Sequence, residues 1–242
     1  MSLSGRRILI TGAARGLGET LARALAGAGA DLVLADILED EGRAVAAGLG
    51  AAFHRVDLRD PESVAALGTA IDGPLHGLLN NGAIATGIGG IGFEDVDTAV
   101  WDRVMEVNVR GTWLMIRAVA PLLRASGSGR IVNVASDTAL WGAPNLISYV
   151  ASKGAVISMT RALARELGPD GVGVTCIAPG ILTTESTGYV PRARHALYEE
   201  GRAVPGPQPP EDVAATAVFL LGEGALALTG QVLPVNRGFV FT

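Results

Sequence analysis

Short apolar runs alternate along this chain with stretches whose apolar residues recur at helical spacing. Arg7 to Thr11 predicts a first strand, Gly12 to Gly18 a glycine-rich turn, and Glu19 to Ala28 a helix that Gly29 can end. Asp31 to Asp36 and Ala51 to Val56 predict the second and third strands, with a helix between them over Leu38 to Leu49. Pro61 opens another helix, since proline suits a first turn. Leu75 to Asn80 predicts a fourth strand, followed by a glycine-rich loop over Gly82 to Gly92. Thr98 to Ser126 predicts one long helix, with Trp101, Val104, Val107, Leu114 and Ala118 on its apolar side. Gly129 to Ser136 and Val172 to Ala178 predict the fifth and sixth strands, and Ser148 to Leu167 the helix between them. Pro179 to Pro210 shows no regular period, Glu211 to Leu221 predicts a last helix, and Gln231 to Val235 a last strand. Seven strands separated by helices imply an α/β fold: a seven-stranded parallel sheet with helices on both faces. Such doubly wound sheets bind ligands at the carboxyl ends of their strands.

Composition narrows the class. The chain has 242 residues, 49% hydrophobic and 18% charged, which predicts one large globular domain over 1–242 with ample core. A formal charge of −5 offers no general attraction to nucleic acid or to an anionic membrane. Cys176 is the only cysteine, so no internal disulfide can form, which fits a reducing compartment. The opening MSLSGRR lacks a signal peptide's apolar stretch, and no run of about 18 apolar residues predicts a membrane span. A cytoplasmic location is therefore expected. His54, His76 and His195 are scattered, and no ligand spacing argues for a metal.

The candidate chemistry lies in Ser136 to Lys153, SDTALWGAPNLISYVASK. Tyr149 and Lys153 stand four apart, one turn along one helix face. A free phenol has a pKa near ~10, and a fixed positive charge beside it favours the phenolate. A tyrosine tuned this way can exchange a proton with a substrate oxygen near neutral pH. Ser136 follows the fifth strand, which places its hydroxyl at the ligand end of the sheet.

The first turn, TGAARGLG over Thr11 to Gly18, suits a pyrophosphate: Gly12 can take the tight turn, and Gly16 and Gly18 allow close backbone approach. Asp36 ends the second strand about 20 residues on, where a carboxylate can bond a ribose 2′-hydroxyl and repel a 2′-phosphate. That favours NAD over NADP.

Taken jointly, these segments resemble the short-chain dehydrogenase/reductase family over nearly the whole chain. The resemblance implies a single Rossmann-type catalytic domain. TGAARGLG resembles the family's cofactor turn, so Gly12, Arg15, Gly16, Leu17 and Gly18 are candidate cofactor residues, with Asp36 and Ile37 after the second strand. Asp57 and Leu58 occupy the usual adenine-contacting position. Asn80, Asn81, Gly82 and Ala83 stand where the family usually has Asn-Asn-Ala-Gly, with the last two residues swapped. Asn108 matches the asparagine that holds a water in the family's proton relay. Ser136, Tyr149 and Lys153 match the catalytic trio. Tyr149 would be the general base, Ser136 would hold the substrate oxygen, and Lys153 would bind the nicotinamide ribose and lower the Tyr149 pKa. Pro179, Gly180, Leu182 and Thr184 resemble the segment that contacts the nicotinamide carboxamide. Arg15 points the other way on cofactor, since a basic residue there often accompanies NADP in the family; Asp36 and the non-basic Ile37 outweigh it.

By the same resemblance residues 183–210 form a mobile substrate lid. Thr138, Trp141, Asn145 and Tyr189 are candidate pocket residues, with His195 more a solvated lid residue than a catalyst. Trp141 and Tyr189 suit an apolar or ring-bearing substrate, whereas Glu185, Arg192 and His195 suit a polyol or acid. Three functions compete: NAD-dependent dehydrogenation of a secondary alcohol, polyol or sugar-like substrate; reduction of 3-oxoacyl-[acyl-carrier-protein]; and non-catalytic dinucleotide sensing. Against the second, Gly127 and Asp170 stand where such reductases tend to carry basic residues, although Arg130 is nearby. The family also implies a homotetramer or homodimer. A second apolar side on the Ser148–Leu167 helix (Val156, Met159, Leu163) and the tail Phe239-Val240-Phe241 fit a subunit contact.

Overall fold

The computed structural model describes residues 2–242; Met1, which opens the predicted domain and the MSLSGRR lead, lies outside them. In chain order the elements are β1 (Arg7–Thr11), α1 (Gly16–Gly27), β2 (Asp31–Asp36), α2 (Glu39–Leu49), β3 (Ala52–Arg55), α3 (Pro61–Ala70) and β4 (Gly77–Asn80). Then come α4 (Thr98–Met105), α5 (Thr112–Ala125), β5 (Arg130–Val134), α6 (Thr138–Trp141), α7 (Ile147–Leu167) and β6 (Gly173–Pro179). The last elements are α8 (Arg192–Gly201), α9 (Glu211–Leu220) and β7 (Val232–Val235). The strands form one seven-stranded sheet in the order β3-β2-β1-β4-β5-β6-β7, parallel throughout. Strand order reverses between β1 and β4, which puts the ligand crevice at their carboxyl ends.

The alternation of side chains along each strand explains the two covered faces. Ile8 and Ile10 of β1 join Leu21 and Leu25 of α1 and Val213 and Leu220 of α9 in one core. Leu9, on the opposite face of the same strand, joins Leu67 of α3, Val119 and Leu123 of α5, and Leu167 of α7 in the other. The central strands are thus buried on both sides, which is why they read as continuous apolar runs.

The structure departs from the sequence expectations in four places. The predicted long helix over 98–126 is broken by a π-helical segment, Glu106–Gly111, between α4 and α5. The region predicted irregular, 179–210, contains the ten-residue helix α8 and a 3-10 turn at Glu185–Thr187. One extra helical turn, α6, follows Ser136. Val156 belongs to a buried cluster with Ala135 and Cys176, so the second apolar side of α7 reduces to the half-buried Met159 and Leu163.

Two glycines are set by close approach. A Cβ on Gly18 would stand 1.8 Å from the Gly12 carbonyl oxygen. Gly12 has φ +67°, and a Cβ there would stand 2.6 Å from the Gly82 Cα. A Gly18→Ala variant should lose about 1–3 kcal/mol of stability through backbone displacement, measured as a lower urea midpoint with an unchanged slope.

Candidate active site

The crevice is built from the ends of β1, β2, β4, β5 and β6. At the end of β1 the chain turns through Gly12 into α1, whose N-terminus has no side-chain cap. Its first backbone N–H groups face the turn, an arrangement suited to an anion. Arg15 is exposed at the N-cap, Leu17 is half-buried, and Gly16 takes φ +57°. Asn81 supports the turn from β4: its amide donates to the Gly12 carbonyl at 2.8 Å, while the Thr11 hydroxyl accepts from the Gly82 N–H at 3.1 Å. Neither Gly82 nor Ala83 has a positive φ, so the exchanged order of the two residues demands no special backbone conformation.

Asp36 reaches in from the end of β2. One carboxylate oxygen accepts from the Ala14 N–H at 2.9 Å and the other from the Leu38 N–H at 3.0 Å. Ile37 beside it is exposed. Asp57 is held by Arg59, whose guanidinium and N–H bond the carboxylate and keep its pKa below the ordinary value. Leu58 packs where a Cβ on Gly82 or Gly111 would stand.

The proposed trio converges just past β5. Ser136 is buried, and its Oγ accepts from the Thr138 hydroxyl at 2.9 Å and the Thr138 N–H at 3.3 Å. With its acceptor sites taken, the Ser136 hydroxyl is left as a donor, and the Tyr149 phenol oxygen is within its reach. Tyr149 and Lys153 sit in the first two turns of α7, and the Lys153 ammonium lies 5.5 Å from the Tyr149 ring centroid. Lys153 is buried and donates to the Val134 carbonyl at 2.8 Å; burial pushes its pKa down to about 8. Burial pushes the Tyr149 phenol above its ordinary value, the Ser136 hydroxyl pulls it down, and Tyr189 and Asp137 add to the rise. Burial is the largest influence on the phenol, and the Lys153 ammonium is turned toward the Val134 carbonyl.

Asn108 lies within the π-helical segment and is buried. Its side chain accepts from the Ile84 N–H at 2.8 Å and donates to the Ile84 carbonyl and to Ser152 Oγ. It thus ties the loop after β4 to α7.

The candidate pocket residues divide. Thr138 orients Ser136. Trp141 donates from Nε1 to the Tyr198 hydroxyl at 3.0 Å, and Arg194 lies over its ring. Asn145 is exposed with φ 58°, and its carbonyl accepts from the Gly90 N–H at 2.8 Å. Tyr189 is exposed and donates from its hydroxyl to the Ala85 carbonyl, bridging the 183–210 segment to the loop after β4. Glu185 and Arg192 are exposed, and His195 contacts the Thr187 carbonyl within the same segment. In the β6 segment the Pro179 carbonyl accepts from the Asp137 N–H, Gly180 packs against Asn236, Asp137 and Tyr198, Leu182 is buried, and Thr184 caps the 3-10 turn. Three buried residues here escape the sequence reading: Asp137, Tyr198 and Asn236. The signal available was the position of Asp137 directly after Ser136.

Comparison with known proteins follows the same outline. The family model described as "Enoyl-(Acyl carrier protein) reductase" matches residues 12–240. The chain is 38% identical to a 3-alpha-(or 20-beta)-hydroxysteroid dehydrogenase of Mycobacterium tuberculosis, covering 98% of this chain and 90% of that protein. It is 34% identical to a D-xylose 1-dehydrogenase of Caulobacter vibrioides, covering 98% and 97%. Among solved structures, a 3-ketoacyl-(acyl-carrier-protein) reductase from Brucella melitensis complexed with NADH superposes with a TM-score of 0.89 at 34% identity, covering 99% of this chain and all of the other. No helix among the described residues is long and apolar enough to cross a membrane.

Burial of Lys153 has a measurable consequence. Its folded-state pKa of about 8 lies below the ordinary 10.5, so between those values the unfolded chain holds more proton and stability rises with pH. Measured by chemical denaturation from pH 7.5 to 10.5, wild type should gain up to about 3 kcal/mol relative to Lys153→Met.

Proposed function

The chain belongs to the short-chain dehydrogenase/reductase family and is an oxidoreductase acting on CH–OH groups, and we propose that it is an NAD-preferring dehydrogenase of secondary alcohols. One observation carries the chemistry: a serine hydroxyl with its acceptor sites filled, a phenol and an ammonium meet at the strand ends beside a glycine cradle.

The residues fit a dinucleotide. Gly12 and Gly18 let the turn close tightly, since a Cβ at either would strike the backbone of the turn or of the Gly82 loop, the α1 N–H groups are uncapped for a pyrophosphate, and Asp36 stands at the β2 end, where ribose hydroxyls are recognised. Leu58 and Ile37 would flank the adenine, Asp57 would bond it, and Pro179, Gly180, Leu182 and Thr184 would line the nicotinamide. Preference for NAD rests on Asp36, whose carboxylate would repel a 2′-phosphate. Arg15, exposed at the N-cap, suits a pyrophosphate oxygen.

When bound, the nicotinamide supplies the hydride chemistry. Ser136 donates to the substrate oxygen and holds it in line beside Tyr149. In the reducing direction Tyr149 gives up its phenolic proton, which an ordinary phenol already holds at neutral pH. In the oxidising direction Tyr149 must first ionise, and Lys153 supplies the positive charge that offsets burial. Asn108, by fixing Ile84 and Ser152, keeps this relay in register.

Trp141 and Tyr189 offer aromatic walls, and the hydroxysteroid and xylose relatives are named for ring-bearing substrates. The substrate reading is therefore a ring-bearing or sugar-like secondary alcohol, enclosed by residues 183–210. Reduction of a carrier-bound 3-oxoacyl group is the second reading, supported by the Brucella neighbour. Against it, Arg130 is 5% exposed and donates to the Gly129, Gly171 and Glu223 carbonyls, so it offers no landing site for an acidic carrier. A homotetramer or homodimer is the assembly proposed, with the groove that sets Met105, Val109, Trp113 and Met159 among Asp102, Glu106 and Arg110 as a contact.

Purified protein with NAD should reduce the cofactor in the presence of one class of ring or sugar-like alcohol, followed by absorbance. Turnover confined to 3-hydroxyacyl thioesters would replace the favoured reading with the second. Tyr149→Phe should lower turnover by at least about 100-fold while leaving NADH affinity, read by fluorescence, within about twofold. Asp36→Ala should narrow the NAD/NADP ratio of kcat/KM by about tenfold or more; an unchanged ratio would remove Asp36 from cofactor choice.

A further inference from the structure

We propose that Asp137 is a positioning residue: through Tyr198 and Asn236 it latches α8 and the C-terminal turn onto the strand end carrying Ser136, and thereby fixes Trp141 as a wall of the substrate pocket. The inference deepens the pocket reading above and rests on it.

Asp137 is fully buried, and three remote segments meet on it. The Tyr198 hydroxyl donates to Oδ1 at 2.7 Å, and the Asn236 amide donates to Oδ2 at 3.1 Å. Its own N–H donates to the Pro179 carbonyl at 3.0 Å. Asn236 has no freedom to flip, because its Oδ1 accepts from the Gly238 and Phe239 N–H groups. The Tyr198 hydroxyl also accepts from Trp141 Nε1, and its ring stacks on Phe239 with centroids 4.1 Å apart. Trp141 meets both rings edge-on. Gly180 closes the site: a Cβ there would stand 3.0 Å from Asp137 Oδ2 and 3.2 Å from Tyr198 Cε1.

Enclosing a carboxylate is costly, and apolar residues would pack this volume more stably. What the carboxylate adds is geometry. It fixes the direction of the Tyr198 hydroxyl, which leaves one lone-pair direction for Trp141. Ser136 and Thr138 pair through their hydroxyls, while the Thr138 N–H also reaches Asp137.

The charged and titratable groups facing Asp137 are Tyr198 and Arg202 at α8, Tyr149 on α7, and, through Tyr198, Arg194. Burial pushes Asp137 up to about 6, while the bonds from Tyr198, Asn236 and Thr138 and the charge of Arg202 pull it down. If the latch opens, Asp137 returns toward its ordinary 3.8. The latched form therefore binds the proton more tightly, and the latch loosens as pH rises through about 6.

Hydrogen exchange on the full chain tests this without reference to activity. Tyr198→Phe should speed exchange in α8 and residues 236–242 by about tenfold, with β1, β4 and β5 unchanged. After correction for intrinsic rates, wild-type α8 should exchange up to about tenfold faster at pH 7.5 than at pH 5, and Asp137→Asn should abolish that difference. For the alcohol that wild type oxidises, Tyr198→Phe should raise KM about tenfold with kcat and NADH affinity within twofold. Unaltered α8 exchange in the variant, a wild-type profile flat with pH, or loss of kcat and NADH binding together would each overturn the latch. If wild type oxidises no alcohol, the enzymatic reading fails on its own, and the exchange measurements still decide the latch.

Discussion

The carbonyl of Gly12 leaves no space for a side chain on Gly18, and the crevice depends on that contact. It sets how closely α1 approaches β1, and so where the uncapped N–H groups of α1 point. Gly82 presses on the same turn from the other side, and Asn81 and Thr11 lock the two loops together through backbone bonds. Both loops leave adjacent parallel strands at the point where strand order reverses, so the cradle is a product of sheet topology as much as of glycine content.

A sheet apolar on both faces leaves its polar groups little place but the strand ends. Deeper ones link into a chain: Asn80 donates to Asn133, which donates to Thr160, while Asn80 Oδ1 stays without a partner. The same rule shapes Tyr149 and Lys153. Lys153 is buried and is tied to the last carbonyl of β5, and Tyr149 is held neutral by its surroundings. Burial thus favours the proton-donating form of the phenol and the less charged form of the lysine.

Much of this was legible in the sequence, for physical reasons. Strands buried on both faces are continuous apolar runs, and β1 to β7 each appear within a few residues of their predicted spans. Ser136, Tyr149 and Lys153 are legible because a strand end and one helical turn fix their relation. Helix α8 is not legible: Tyr198 is its only fully buried residue, so it carries no apolar stripe. The π-helical segment is equally silent, because one wider turn in a long helix barely alters its hydrophobic period. The protonation of Tyr149 is not legible for another reason. Spacing places the lysine beside the phenol, but the balance between charge and desolvation depends on what buries both.

Two carboxylates show how one group can serve opposite ends. Asp36 and Asp137 each end or follow a strand at the crevice, and each accepts hydrogen bonds on both oxygens. The donors to Asp36 are backbone N–H groups of its own turn and of the glycine loop, so its remaining lone pairs are free to meet a ligand. The donors to Asp137 are side chains from remote segments, with Gly180 closing over it, so it has no surface left to offer. Asp36 is thus held by backbone alone, which under the proposed function leaves it to the cofactor. Asp137 is turned toward the fold, and any influence it has on the substrate must pass through Tyr198 and Trp141.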